Sequence, residues 1–187
     1  MKGNYLMKMK HVSTVLALVF SSAVTSAIAA PVTVEAGTVN FTGSVVDTAC
    51  AVDTASTNLN VNMGQVRLAA LGTTAGTQAP SRTDFQIKLV DCDVSTIQNA
   101  QITFNGVTSQ GDPSVLEAGV GAGKATGVGV QIFDHTGSAL PVGTASTAVQ
   151  LNAGDNTLHF QSGFISTSTS PTAGDASASS TFTITYS

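Results

Sequence analysis

Outside the first thirty residues, Cys50, Cys92, His135 and His159 are the side chains best equipped for redox, nucleophilic or metal chemistry. Two histidines and two cysteines would just fill a zinc site, which needs three or four nitrogen, oxygen or sulfur ligands. The sequence does not group them that way. His135 sits in Asp134-His-Thr-Gly137, which reads as a hairpin turn, and His159 lies inside a strand pattern. Both read as surface or edge residues. Serine is abundant enough for a Ser-His-Asp triad, but no Gly-x-Ser-x-Gly nucleophile elbow occurs. Gly119-Val-Gly-Ala-Gly-Lys124 lacks the four-residue gap of a phosphate loop and the Ser or Thr after its lysine, so it reads as a flexible loop. Asp91 and Asp93 flank Cys92 as a solvated pair. No enzyme chemistry, cofactor or metal emerges from these residues.

The chemistry that remains is oxidation of the cysteines, and the start of the chain sets the compartment. Residues 1–29 read as a secretory signal peptide. Lys2, Lys8 and Lys10 form its basic region, Val15–Phe20 its apolar core, and Ala27-Ile28-Ala29 its cleavage site. The apolar run falls short of the roughly 20 residues a spanning helix needs. In an exported chain, Cys50 and Cys92 form one disulfide by default. The alternative is two free thiols.

Export also sets the charge. Three of the seven basic residues lie in the signal, whereas all eleven acidic ones follow it, so the mature chain carries 4 − 11 = −7. Nucleic acid and anionic membranes call for a basic footprint and are excluded as partners. Charge this sparse suits a subunit that buries much of its surface in an assembly.

The elements that must carry these residues read as strands. Val and Thr are plentiful, and β-branched side chains suit a pleated surface. Apolar and polar residues alternate over Leu59–Met63, Phe85–Val90, Gln101–Phe104, Val128–Phe133, Asn156–Phe164 and Phe182–Tyr186, and Val45–Val52 forms a strand carrying Cys50. Seven short strands separated by turn signals such as Asn105-Gly106 predict an immunoglobulin-like sandwich. Gln65–Leu71 could take a helical turn, and Ser166–Ser180 reads as a loop.

The two ends complete the pattern. Phe182, Ile184 and Tyr186 alternate with threonines, and the sequence stops one residue later. An apolar strand in that position is an exposed edge unless something pairs with it. Val39, Phe41, Gly43 and Val45 show the same alternation ahead of the first cysteine. Two such ends suggest assembly by exchange of strands between subunits. Gly43 fits either a close approach to a neighbour or a bulge in a weak edge. Tyr186 fits either a core position or the end of an unpaired strand.

These stretches, in their order and spacing, resemble the major structural pilins of the type 1 fimbrial family, assembled by the chaperone–usher pathway. The matching residues are Gly37–Val52, Met63-Gly-Gln-Val-Arg67, Leu89-Val-Asp-Cys-Asp93, Val128–Leu140 and the C-terminal strand. Gly174, fourteenth from the end, and the penultimate Tyr186 match that family's chaperone-recognition pattern. The resemblance implies an incomplete immunoglobulin-like sandwich that lacks its seventh strand, G. A periplasmic chaperone lends the strand first, and the extension of the next subunit replaces it. On that reading residues 1–29 are the signal, 30–46 the donor extension and 47–187 the pilin domain. Val39, Phe41, Gly43 and Val45 are the donor residues, while Gly174, Phe182, Ile184 and Tyr186 mark the acceptor groove and chaperone recognition.

The expected partners are like or related pilin subunits, the chaperone and an outer-membrane usher, with any host contact made indirectly through a tip adhesin. The expected destination is a fimbrium at the cell surface. A tip adaptor pilin is the alternative within the class, and the rod is favoured because there is one pilin domain and no second lectin domain. A stand-alone carbohydrate-binding sandwich is the alternative outside it. Such modules present aromatic platforms, and this chain has no Trp and only two Tyr.

Overall fold

The computed structural model describes residues 33–187. The expected signal peptide lies outside the described residues. The chain divides between Gly43 and Ser44 into two units. In the first, residues 33–43 are exposed and carry no regular structure.

The second unit is built from nine strands, one short α-helix and a 3-10 turn at Thr54–Ser56. The strands are β1 (Ala51–Val52), β2 (Thr83–Cys92), β3 (Asn99–Asn105), β4 (Leu116–Glu117), β5 (Val128–Phe133), β6 (Ala139–Leu140), β7 (Val149–Gln150), β8 (Gly154–Ser166) and β9 (Thr181–Tyr186). Helix α1 spans Leu68–Leu71, inside the stretch expected to hold a helical turn. One sheet runs β1-β2-β8-β5-β4, with β6 also on β5, and the other runs β7-β3-β9. Every named strand pair is antiparallel. The two sheets face each other as a sandwich, and their inward side chains form one core. Ile87, Leu89, Leu158 and Phe160 come from the first sheet, and Ala100, Ile102 and Phe104 from the second. Phe104 meets Phe160 edge-on at 5.1 Å between centroids, and Phe85 stacks on Phe160 at 5.7 Å. Such pairs contribute about 0.5–1.5 kcal/mol beyond their buried area.

Two strands expected from the sequence are shorter or missing. Val45–Val52 reduces to Ala51–Val52, because only those two residues pair with β2. Leu59–Met63 alternates as a strand should, yet among the described residues it joins no sheet. Alternation says that a segment fits a pleated surface; strand structure also needs a neighbouring backbone to bond to. Conversely β4, β6 and β7 are two-residue strands, too short to show a period.

Cysteine placement depends on an irregularity. Along β2 the inward residues are Phe85, Ile87 and Leu89, so simple alternation would send residue 91 inward and Cys92 outward. The ladder instead shifts between Leu89, opposite Asn156, and Cys92, opposite Gly154. One extra residue on β2 makes this a β-bulge. Asp91 takes the left-handed backbone with φ 56°, a conformation Asp tolerates better than most residues. Its side chain stays in solvent, and Cys92 turns into the core beside Cys50. The two sulfurs are bonded, 2.12 Å apart.

Asp134 organises the β5–β6 hairpin and is almost fully buried. One carboxylate oxygen accepts from Thr136 N–H (2.9 Å), the Thr136 hydroxyl (2.6 Å) and Ser138 N–H (3.3 Å). The other accepts from the Thr147 hydroxyl (2.6 Å) and N–H (3.4 Å), tying the turn to the segment that leads into β7. Burial alone would raise its pKa, but the hydrogen bonds from Thr136 and Thr147 outweigh burial and hold it at about 2. The Asp134-His-Thr-Gly137 stretch is thus the hairpin expected from the sequence, with His135 exposed in the turn. His159 is also exposed, on β8 opposite Gln86.

Candidate acceptor groove

The second sheet ends on β9. This strand pairs with β3 from Asn105–Thr181 to Ala100–Tyr186, and its other edge has no strand partner among the described residues. Burial alternates along it: the three threonines are exposed, and Phe182, Ile184 and Tyr186 are half-buried against the core. Its start is fastened to β3, because Asn105 C=O accepts from the Ser180 hydroxyl at 3.1 Å and the Thr181 hydroxyl at 3.4 Å. Its end is fastened too, because Ser187 N–H donates to Asn99 C=O at 3.0 Å.

Beside β9 lies a groove of about 1430 Å³. One wall is residues 174–182, and the facing wall is residues 57–66, the segment that alternates without pairing. The floor comes from both sheets: Phe85, Phe104, Leu116, Val130, Ile132 and Phe164. These belong to the core or pack against it. The sandwich is therefore open along one side, with core side chains at the bottom of the opening. A trough with an apolar floor, flanked by an edge strand, offers hydrogen-bonding backbone and side-chain pockets together, as strand addition requires.

Of the residues singled out from the C-terminal sequence, Gly174 and Phe182 line the groove. Ile184 and Tyr186 lie further along the same strand and are not part of its lining. The Tyr186 hydroxyl donates to Cys50 C=O at 3.3 Å and joins the end of β9 to the residue preceding β1. Burial raises the pKa of this phenol, so it stays a donor at neutral pH.

Gly174 has a packing reason of its own. A Cβ there would stand 2.4 Å from Ala125 N, 2.4 Å from Lys124 C and 2.5 Å from Gly123 O. The close approach is held by Ala125 N–H donating to Asp175 C=O (2.8 Å) and Asp175 N–H donating to Gly123 C=O (3.0 Å). The Gly119–Lys124 stretch thus supports the groove wall from behind, which sequence reasoning missed. The floor residues were also missed as site residues. The only sequence signal for the facing wall is the Leu59–Met63 alternation, which reads as a strand.

The arm presents its side chains to solvent. Val39 is 74% exposed and Phe41 92%. A Cβ on Gly43 would find no described heavy atom within 4 Å. In the second unit, Val45 is fully exposed and Val46 mostly so. Burying such side chains is worth roughly 1.5–3 kcal/mol each, so leaving several apolar residues in water opposes solubility. Among the described residues, no cluster of His, Cys, Asp and Glu could hold a metal, and no helix is long and apolar enough to cross a membrane.

Residues 39–187 match the Fimbrial protein family. The chain is 41% identical over 184 residues to the type-1 fimbrial protein A chain of Escherichia coli K12, covering 96% of this chain and 100% of that protein. Among solved structures, it superposes with a TM-score of 0.57 at 37% identity on a Burkholderia pseudomallei antigen and type I fimbria protein, covering 80% and 97% of the two chains. It superposes with a TM-score of 0.70 at 25% identity on a subunit from a chaperone–usher pilus studied for the uncoiling of its rod, covering 85% and 100%. The open sandwich, the disulfide and these likenesses agree: the chain belongs to the fimbrial protein family, as a structural, non-enzymatic pilin subunit of a surface fimbrium, with an incomplete immunoglobulin-like fold and other pilin subunits as its partners.

Proposed function

We propose that the groove beside β9 takes residues 30–46 of another subunit as its missing strand, so that subunits join end to end by donor-strand exchange. The observation that carries this reading is the opening in the sandwich, a groove of about 1430 Å³ floored by the core of the domain. Val39, Phe41 and Val45 point to one face of an extended arm, and Gly43 shares that face. Three large apolar side chains buried at roughly 1.5–3 kcal/mol each would supply several kcal/mol per joint, and main-chain bonds to β9 would add to that. Gly43 is the position where the donor comes closest to the groove. Leu59–Met63 already alternates and has no strand partner among the described residues, which leaves its backbone to bond to the far side of the same donor.

An open groove is an aggregation hazard before assembly. A periplasmic chaperone that occupies it, with Gly174, Phe182, Ile184 and Tyr186 as recognition residues, removes the hazard, and an outer-membrane usher exchanges chaperone for subunit. This route assigns residues 1–29 to the signal peptide, 47–187 to the pilin domain and the chain to the rod.

The test is thermal melting of the refolded subunit with peptides spanning Gly37–Val46. A ligand that binds only the folded state raises its stability by mass action. The native peptide should raise the melting temperature strongly, a Gly43→Leu peptide much less, and an Asn40→Leu peptide nearly as much as the native one. Equal stabilisation by the two variants would overturn the register. No stabilisation by any peptide would overturn strand donation itself.

A further inference from the structure

Asn105-Gly106 is the only Asn-Gly pair in the sequence. It read as a turn signal, and the assembly groove makes no use of it. We infer that Asn105 is a site of spontaneous deamidation and isoaspartate formation, and that the modification loosens the start of β9.

The reaction needs the side-chain amide of an asparagine and the backbone nitrogen of the next residue. Gly106 nitrogen attacks Asn105 Cγ; the N–Cγ bond forms, the Cγ–Nδ2 bond breaks and ammonia leaves with the displaced proton. The succinimide then takes up one water. Opening at Cγ gives aspartate, and opening at the former main-chain carbonyl gives isoaspartate. The sum is asparagine plus water to an acid plus ammonia, with no oxidant or cofactor.

Three features of the structure favour this site. Both residues are exposed, at the point where β3 ends. Among the described residues, neither the Asn105 side-chain amide nor Gly106 N–H makes a hydrogen bond, so electrophile and nucleophile are both free. Gly106 has no Cβ to obstruct the attack, whereas Asn40, Asn58, Asn60, Asn62, Asn99, Asn152 and Asn156 all precede residues with side chains.

The fold also keeps the site labile. A Cβ on residue 106 would stand 2.6 Å from Leu116 Cδ2 and 2.8 Å from Ser179 O, so packing demands the glycine that makes Asn105 reactive. The same contacts make the product disruptive. In isoaspartate the main chain runs through the former side chain and gains one carbon between residues 105 and 106. The former Asn105 carbonyl carbon becomes a free carboxylate. That carbonyl oxygen now accepts from Ser180 and Thr181, which lead into the groove wall at Phe182.

The test is incubation of the purified exported subunit at 37 °C in mildly alkaline buffer, followed by peptide mapping and labelling with isoaspartyl methyltransferase. Residue 105 should lose its amide ahead of every other asparagine, and Asn105→Gln should lose the isoaspartyl label at this position. In the isolated isoaspartyl fraction, hydrogen exchange of the Thr181–Ile184 amides should rise above that of unmodified subunit. Deamidation at residue 105 no faster than at Asn152 would overturn the site. Unchanged exchange in the isoaspartyl fraction would overturn its effect on β9. Neither readout depends on strand donation, so the assembly reading stands or falls separately.

Discussion

The Tyr186 hydroxyl donates a hydrogen bond of 3.3 Å to the carbonyl of Cys50, so the penultimate residue of the sequence is bonded to a residue of its disulfide. This contact joins the strand whose first residues, Thr181 and Phe182, belong to one groove wall to the chain entering β1. Tyr186→Phe removes the donor and keeps the ring. It should cost roughly 1 kcal/mol in urea unfolding of the peptide-capped subunit, the usual net worth of a neutral hydrogen bond. The phenol's pKa is raised by burial, so its contribution is complete below the unfolded pKa and declines as pH rises through the higher folded value. Wild type should therefore lose stability at strongly alkaline pH more steeply than the Phe variant.

Cys50 and Cys92 close a loop with a sequence separation of 42. In the chain-entropy account a cross-link of this span stabilises by about 4 kcal/mol. Thiol titration of the exported protein under denaturing conditions should find no free thiol. Cys50→Ala with Cys92→Ala should lower stability by about that amount, and two titratable thiols per wild-type chain would contradict the bonded pair.

Asp134 should govern acid stability. Its pKa is lowered from 3.8 to about 2, so it stabilises the fold fully above pH 3.8 and loses that contribution as pH falls through 2. The shift corresponds to roughly 2 kcal/mol at neutral pH. Asp134→Asn should be less stable by about that much at pH 7. Its stability should also fall less steeply than the wild type's between pH 4 and pH 2, as read from urea unfolding midpoints across the range.

Gly174→Ala tests why that glycine is needed. The added Cβ would meet backbone of residues 123–125 at 2.4–2.5 Å, and backbone yields less readily than the end of a side chain. The expected loss is about 1–3 kcal/mol, the usual cost of overpacking, seen as a lower melting temperature with the donor peptide bound and no chaperone present. A melting temperature equal to wild type would leave chaperone recognition as the only role for this residue.

Much of the fold was legible in the sequence because it rests on short-range pattern. The alternation in Phe85–Val90, Gln101–Phe104, Val128–Phe133, Asn156–Phe164 and Phe182–Tyr186 marks β2, β3, β5, β8 and β9, since consecutive side chains on a strand face opposite ways. Polar Asp134-His-Thr-Gly137 marks the hairpin for an equally local reason. What only the tertiary structure decided depends on backbone from elsewhere in the chain. Leu59–Met63 has strand periodicity but no strand beside it among the described residues, and no local pattern reveals whether a partner exists. Strict alternation from Leu89 would face Cys92 outward; the bulge at Asp91 turns it inward, because one extra residue is absorbed opposite Asn156 and Gly154, more than sixty positions away. Gly174 is required by residues 123–125, and the groove floor is assembled from five separate segments of both sheets. Periodicity is a property of neighbours in sequence, whereas a groove is a property of which distant strands meet and which edge is left open.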